Sequence, residues 1–193
     1  MNGLEFAHYT ADAAREGRDV VEDVYRRSYR DAIESRRAFS SPETFMQRFD
    51  AYTDPARGSG FELVVAYLNG VAVGQTWGWP LTPNTAWWVG LQLNESAEVT
   101  EFIEESGART FALSEVMVDQ SHSGRGIAHA LHDELLAERT EARATLLVNP
   151  DNDRAYSAYR RWGWACVGNL TPTWPDATPT FDVLVKHLEE ESL

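Results

Sequence analysis

At 193 residues with 43% hydrophobic content, the chain is long enough to bury one good-sized core, and a single domain spanning 1–193 is expected. Its 17 basic and 30 acidic residues give a formal charge of −13, which disfavours nucleic acid and anionic membranes as partners and favours cationic ones. The lone Cys166 excludes an intrachain disulfide and a four-thiolate metal site, and neither a signal-like start nor an 18-residue apolar run occurs, so a cytoplasmic location is expected.

LEFAHYT (4–10) reads as a short strand. Thr10 then precedes a long helical pattern in which Val20, Val21, Val24 and Tyr25 recur at helical spacing. A second helix is expected over 41–52, where Ser40 and Glu43 fit a capping box and Ser41 with Thr44 miss it by one type. FELVVAYL (61–68), Asn69-Gly70 and VAVGQTWGW (71–79) form the strongest hairpin signal, because Asn-Gly tolerates the positive φ of a two-residue turn.

Residues 80–108 are irregular and read as an acceptor-side insertion or lid. Within them Val99, Phe102 and Ile103 share one face of a short acidic helix, with Glu95, Glu98, Glu101, Glu104 and Glu105 turned mostly elsewhere. FALSEVMV (111–118) is a strand, followed by a glycine turn, a helix to about 140, the strand 143–148, a helix over about 152–162, and strands near 164–169 and 180–186. The order predicts a mixed α/β fold with antiparallel hairpins flanking one strand–helix–strand crossover.

In the turn after 118, Gly124 and Gly126 remove the β-carbons that would block a ligand. Successive N–H groups at a helix start are left to face an anion such as a phosphate. A bare turn without a ligand is the alternative. A Walker loop is disfavoured by the missing Gly-Lys-Ser/Thr ending, and the dinucleotide fingerprint by His129 at its third small position.

The company this turn keeps resembles the GNAT superfamily of N-acetyltransferases, whose loop reads Arg/Gln-x-x-Gly-x-Gly/Ala after a strand ending in valine. Here Val118 is followed by Ser123-Gly124-Arg125-Gly126-Ile127-Ala128. The family's Asn-x-x-Ala-x-x-x-Tyr and Gly-aromatic pair match Asn152, Ala155, Tyr159 and Gly163-Trp164, and the hairpin LNGVAVG matches its second and third strands. The resemblance covers 61–79 and 111–170. It implies a central twisted, mostly antiparallel sheet flanked by helices, acetyl-CoA as co-substrate, and direct acetyl transfer to an amine.

By the same resemblance, the backbone of 124–128 cradles the pyrophosphate, the main chain around Met117 and Val118 pairs with the pantetheine arm, and Asn152 contacts the cofactor or simply caps its helix. Ser123 departs from the family's Arg or Gln, and Arg125 offers a compensating charge. Tyr159, seven positions after Asn152, matches the tyrosine that protonates the departing thiolate; Tyr156 is the reserve. A phenol with a pKa near 10 is neutral beforehand and so suits that task.

Strand alternation places Phe111, Leu113, Glu115 and Met117 on one face, so Glu115 is a carboxylate in an apolar row. Desolvation there would suit it to general-base work, and a structural glutamate is the competing reading. Cys166 reads as a small packed hydrophobe. His129, His132 and Asp133 lack the zincin spacing and read as a surface group, His122 reads as solvent-exposed, and no metal is expected.

Trp77 and Trp79 share one strand face and, with Trp87 and Trp88, form a candidate acceptor wall. Aromatic faces and acidic charge point to a small cationic amine, with core packing as the alternative. A silent acyl-CoA sensor and a protein or peptide acetyltransferase remain as other readings, and a homodimer is left open.

Overall fold

A computed structural model describes residues 3–35, 40–57, 60–94, 99–171 and 180–188. The chain divides into two compact units, one of residues 1–79 and 114–138, the other of 80–113 and 139–193. None of the described helices is long and apolar enough to cross a membrane.

In the first unit, β1 (Leu4–Thr10), β2 (Glu62–Leu68), β3 (Val71–Pro80) and the C-terminal part of β5 (Thr110–Val118) lie side by side in that order. β1 pairs antiparallel with β2 from Leu4↔Leu68 to Thr10↔Glu62, and β2 with β3 through the Asn69-Gly70 turn, whose φ values are 52° and 79°. The expected hairpin therefore forms, with one bulge between Ala66 and Tyr67.

The long N-terminal helical pattern breaks into three helices, α1 (Ala11–Glu16), α2 (Arg18–Ser28) and α3 (Arg30–Glu34). Gly17 makes the first break, consistent with glycine's low helix propensity. Thr10 caps α1 by accepting from the Ala13 N–H, and α2 buries Val21, Val24 and Tyr25 at the i, i+3, i+4 spacing while Val20 stays on its rim. In α4 (Pro42–Tyr52) the cap is Ser41, which accepts from Thr44 N–H, with Pro42 in the first turn; the Ser40–Glu43 box is not used. Pro42 explains the shift, since a proline suits a position whose N–H is unpaired. Phe45, Met46 and Phe49 of α4 pack with Tyr25, Leu63 and Trp77 into the core of this unit.

The second unit contains the N-terminal part of β5, β6 (Arg143–Val148), β8 (Phe181–His187), β7 (Ala165–Leu170) and β4 (Leu91–Leu93), in that order. β5 and β6 pair in parallel from Thr110↔Arg143 to Ala112↔Thr145; the remaining pairs are antiparallel. α5 (Val99–Phe102) is a four-residue helix, and Glu95 and Glu98 of the expected acidic helix lie outside the described residues. β4 was not expected from the sequence: its three residues are held by β7 at Leu91↔Leu170 and Leu93↔Gly168. α6 (Ile127–Leu136) follows β5, and α7 (Asp153–Arg161) follows β6. These elements make up a mixed α/β fold in which β-sheet is flanked by helices.

Two readings of the segment 80–108 are corrected. Trp88 is buried, donating from Nε1 to Glu105 Oε1 at 3.0 Å and meeting Phe102 edge-on. Glu105 is likewise buried, and accepts from Thr110 Oγ1 at 2.7 Å and from Arg143 at 3.2 Å. Arg143 also donates to Thr110 Oγ1 and the Phe102 carbonyl. A carboxylate so far from water needs its charge met, and the cation comes from the distant strand β6, because the nearer Arg109 is turned to the Glu101 and Glu104 carbonyls; Glu105 Oε2 has no hydrogen-bond partner among the described residues.

Candidate active site

The turn after β5 is tied down before it reaches its glycines. Asp119 caps a short 3-10 turn over Gln120–His122, accepting from Ser121 N–H and Oγ at 2.8 Å each. Arg27 of α2 donates to Asp119, to Asp23 at 2.7 Å and to the Ala72 carbonyl at 2.6 Å, and Asp119 N–H donates to Val73 O at 2.9 Å. Burial pushes the Asp119 carboxyl up, but the bonds from Ser121 and Arg27 overcome it and hold the group below its ordinary range. His122 is only partly exposed, with Nδ1 2.9 Å from Ser121 Oγ.

Beyond this anchor Ser123, Gly124, Arg125 and Gly126 are exposed. Gly124 and Gly126 have φ of 77° and 79°, a left-handed conformation in which a β-carbon is strained. A β-carbon on Gly124 would meet nothing within 4 Å, so protein packing is not what keeps that position bare. Gly126 is the N-cap of α6 and offers no side chain to its first N–H groups, which by helix geometry have no intrahelical acceptor. Ile127 buries its side chain and Ala128 is half-buried, so both anchor the helix while their N–H groups stay at its start. A bare, pinned helix start of this kind suits a pyrophosphate.

β5 pairs with β6 from Thr110 to Ala112, ahead of Met117 and Val118, whose main chain is the stretch that the family resemblance assigns to an extended ligand. Met117 itself is buried and accepts at Sδ from Gln75 Nε2.

Glu115 stands two residues before Met117. Its surface is partly exposed, yet removal from water raises its pKa from 4.5 to about 7, against the pull of the Arg48 guanidinium. Its backbone carbonyl accepts from Thr76 Oγ1 at 2.7 Å. Arg48, which the sequence did not single out, and Tyr25, which it marked only as part of a helical pattern, are its neighbours. Arg48 lies near the Phe45 ring, 5.8 Å to the centroid, and Phe45 stacks on Tyr25 at 3.7 Å. The i, i+3 step from Phe45 to Arg48 on α4 was the available signal, but its meaning depended on which strand α4 covers.

Trp77 and Trp79 do lie on one face of β3, and both belong to the core assembly of the first unit. Trp77 is 1% exposed and is therefore a core side chain, packed between Phe45 and Phe49 at 5.6 Å from each. Trp79 is half-buried, 4.5 Å from Tyr52. Of the expected aromatic wall, Trp79 is the member of β3 with open surface.

Asn152 and Tyr159 belong to the second unit. Asn152 is exposed and caps α7, its Oδ1 accepting from Ala155 N–H at 3.2 Å. Tyr159 is half-buried, its ring set edge-on to Trp162 at 5.5 Å and Trp164 at 6.2 Å. Tyr156, three residues earlier, is tied up differently: burial first, then bonds to Cys166 and Asp182, push its hydroxyl up to about 12. Cys166 is partly exposed; its thiol donates to Gly168 O at 3.6 Å and accepts from Asn94 Nδ2 at 3.8 Å.

His132, expected at the surface, is buried on α6 at 2% exposure, with Nδ1 2.8 Å from Asp133 Oδ1. The helix turns it inward with Leu131 and Leu135.

Comparison with known proteins accords with the fold. Among solved structures the chain is similar to the ribosomal-protein-S18-alanine N-acetyltransferase from Escherichia coli, at 15% identity and TM-score 0.61, covering 98% of each chain. It is similar to an aminoglycoside 6'-acetyltransferase type Ii at 15% identity and TM-score 0.61, covering 96% of this chain and 98% of that one. A PaiA N-acetyltransferase from Thermoplasma acidophilum, in complex with coenzyme A, aligns at 11% identity and TM-score 0.54 over 95% and 98% of the two chains. No curated protein matches in sequence. Residues 21–164 match the acetyltransferase (GNAT) family, and with most of its length inside that match, the chain belongs to the GNAT acetyltransferase family.

Proposed function

We propose that this protein transfers an acetyl group from acetyl-CoA directly to the primary amine of a small, cationic molecule. The observation that carries the cofactor reading is the pair of left-handed glycines, exposed and open, leading into the uncapped start of α6. When bound there, acetyl-CoA supplies an activated thioester. Ser123, Gly124, Arg125, Gly126, Ile127 and Ala128 hold its diphosphate, chiefly through backbone N–H groups, each charge-assisted bond contributing about 1.5–3 kcal/mol. The Met117 and Val118 main chain pairs with its extended arm, and the family resemblance supports Asn152 as a further cofactor contact.

Glu115 takes the proton that the incoming ammonium must lose before its nitrogen can attack. A carboxylate with a pKa near 7 is poised for that task, being able to accept a proton without holding it too tightly. For the departing sulfur, the resemblance supports Tyr159 as proton donor. Its ring is braced by two tryptophans, whereas the Tyr156 hydroxyl is engaged with Cys166 and Asp182. The preference for a cationic acceptor rests on the formal charge of −13 and on the aromatic surface of the partly exposed Trp79.

The test is release of CoA thiol from acetyl-CoA across cationic, neutral and acidic amines, with N-terminal peptide amines as a further arm. Fast turnover is expected for small cationic amines. Activity confined to neutral or acidic amines, or to peptides, would remove the acceptor assignment. Tyr159→Phe is expected to lower kcat tenfold or more with little change in acetyl-CoA affinity; wild-type turnover would remove Tyr159 from the mechanism.

A further inference from the structure

We propose that His129, His132 and Asp133 of α6 form a binding site for a divalent transition metal, Zn2+ above all. The three residues stand at i, i+3 and i+4, neighbouring positions on a helix. His132 Nδ1 lies 2.8 Å from Asp133 Oδ1, and His129 Nε2 lies 3.4 Å from Asp133 Oδ2. One ligand atom from each residue falls within 4.8 Å of the other two.

Two of those separations lie close to the spacing that a metal imposes. With zinc–ligand bonds of about 2.0–2.2 Å in a tetrahedron, the ligand atoms are spaced about 3.3–3.6 Å along each edge. The observed 2.8 and 3.4 Å need only a small side-chain adjustment to meet that figure. A plain histidine–aspartate hydrogen bond would account for one imidazole. Here two imidazoles converge on the two oxygens of one carboxylate, which gathers three donor residues rather than an isolated pair.

Burial divides the labour among the three. His132, at 2% exposure, is locked by packing, so its Nδ1 faces Asp133 without freezing a mobile ring. His129 and Asp133, at 51% and 58%, leave the outer side open to water as further ligands. Two imidazole nitrogens and one carboxylate oxygen favour zinc, cobalt, nickel or copper over magnesium or calcium. Glu134, next along the helix, does not compete for the ion, because its carboxylate lies 3.0 Å from His8 Nε2 on β1.

Metal-stripped, untagged protein titrated calorimetrically with Zn2+ decides the matter, with Mg2+ as the oxygen-preferring control and Co2+ added for its visible ligand-field bands. One zinc per chain is expected, with a rise in Tm as the ion fills the site, because a ligand of the folded state stabilises it by mass action. Because His132 is buried, His132→Ala is prone to misfold; the exposed changes His129→Ala and Asp133→Asn carry the test. Each should weaken zinc at least tenfold and abolish the cobalt bands, while His187→Ala on β8 leaves both unchanged. No zinc association, or equal association in wild type, H129A and D133N, would overturn the proposal.

Discussion

Replacing Glu115 with glutamine tests the physical core of the proposed chemistry without changing side-chain volume. The wild-type pKa rises from 4.5 to about 7, a difference of about 2.5 units. At about 1.4 kcal/mol per unit, this corresponds to about 3 kcal/mol between the charged and neutral forms. Since the folded state holds this proton more tightly than the unfolded chain does, the associated stability is complete below pH 4.5. It is lost progressively as pH climbs to about 7. Glutamine, always neutral, escapes that loss. Glu115→Gln should therefore match wild type near pH 4.5 and become more stable by up to about 3 kcal/mol above pH 7.

Activity should move the other way. A wild-type kcat/KM profile with an acidic limb near pH 7 should flatten in the variant, with a rate loss on the order of 10²–10⁴-fold. Urea unfolding at stepped pH, paired with CoA-release rates at the same pH values, reads both effects in one protein. An acceptor whose own amine titrates well above pH 8 keeps the limb assignable to the enzyme. Two results would refute the reasoning: a stability difference flat to within about 0.5 kcal/mol from pH 5 to 8, or identical pH–rate profiles. The first would mean that Glu115 ionises like a solvated carboxylate, the second that it is not the base.

Gly124→Ala should cost about 1–2 kcal/mol of stability from its left-handed φ alone, because no neighbouring atom meets the new methyl group. Calorimetry should show acetyl-CoA affinity falling tenfold or more, and unchanged affinity would show that the bare turn is not the cradle. Gly74→Ala acts through packing, since its β-carbon would come within 2.9 Å of both Leu131 Cδ1 and the Met117 carbonyl, and 3.3 Å of Val118 Cγ2. Denaturant unfolding should report a loss of about 1–3 kcal/mol; a neutral result would mean that β3 and β5 have room to part.

Features carried by a few adjacent residues were readable directly. Asn69-Gly70 specifies its hairpin because the turn's positive φ values are a local requirement, met by those two residues whatever surrounds them. Asn152 caps α7 and Thr10 caps α1 for the same reason. The glycine turn and the helix after it were likewise foreseeable, and strand alternation marked Glu115 as a charge in an apolar row before any neighbour was known.

What tertiary structure decided depends on partners brought from far along the chain. Glu105 reads as part of an acidic surface until Arg143, 38 residues later, pairs with it in the interior. β4 has three residues, too few to show a period, and exists because β7 supplies the ladder. Trp77 and Trp79 look alike in sequence, yet α4 packs Phe45 and Phe49 over the first, while the second keeps open surface. Local sequence sets backbone preference and which side chains share a face; the dielectric around a charge is set by everything packed against it, and so emerges with the assembled fold.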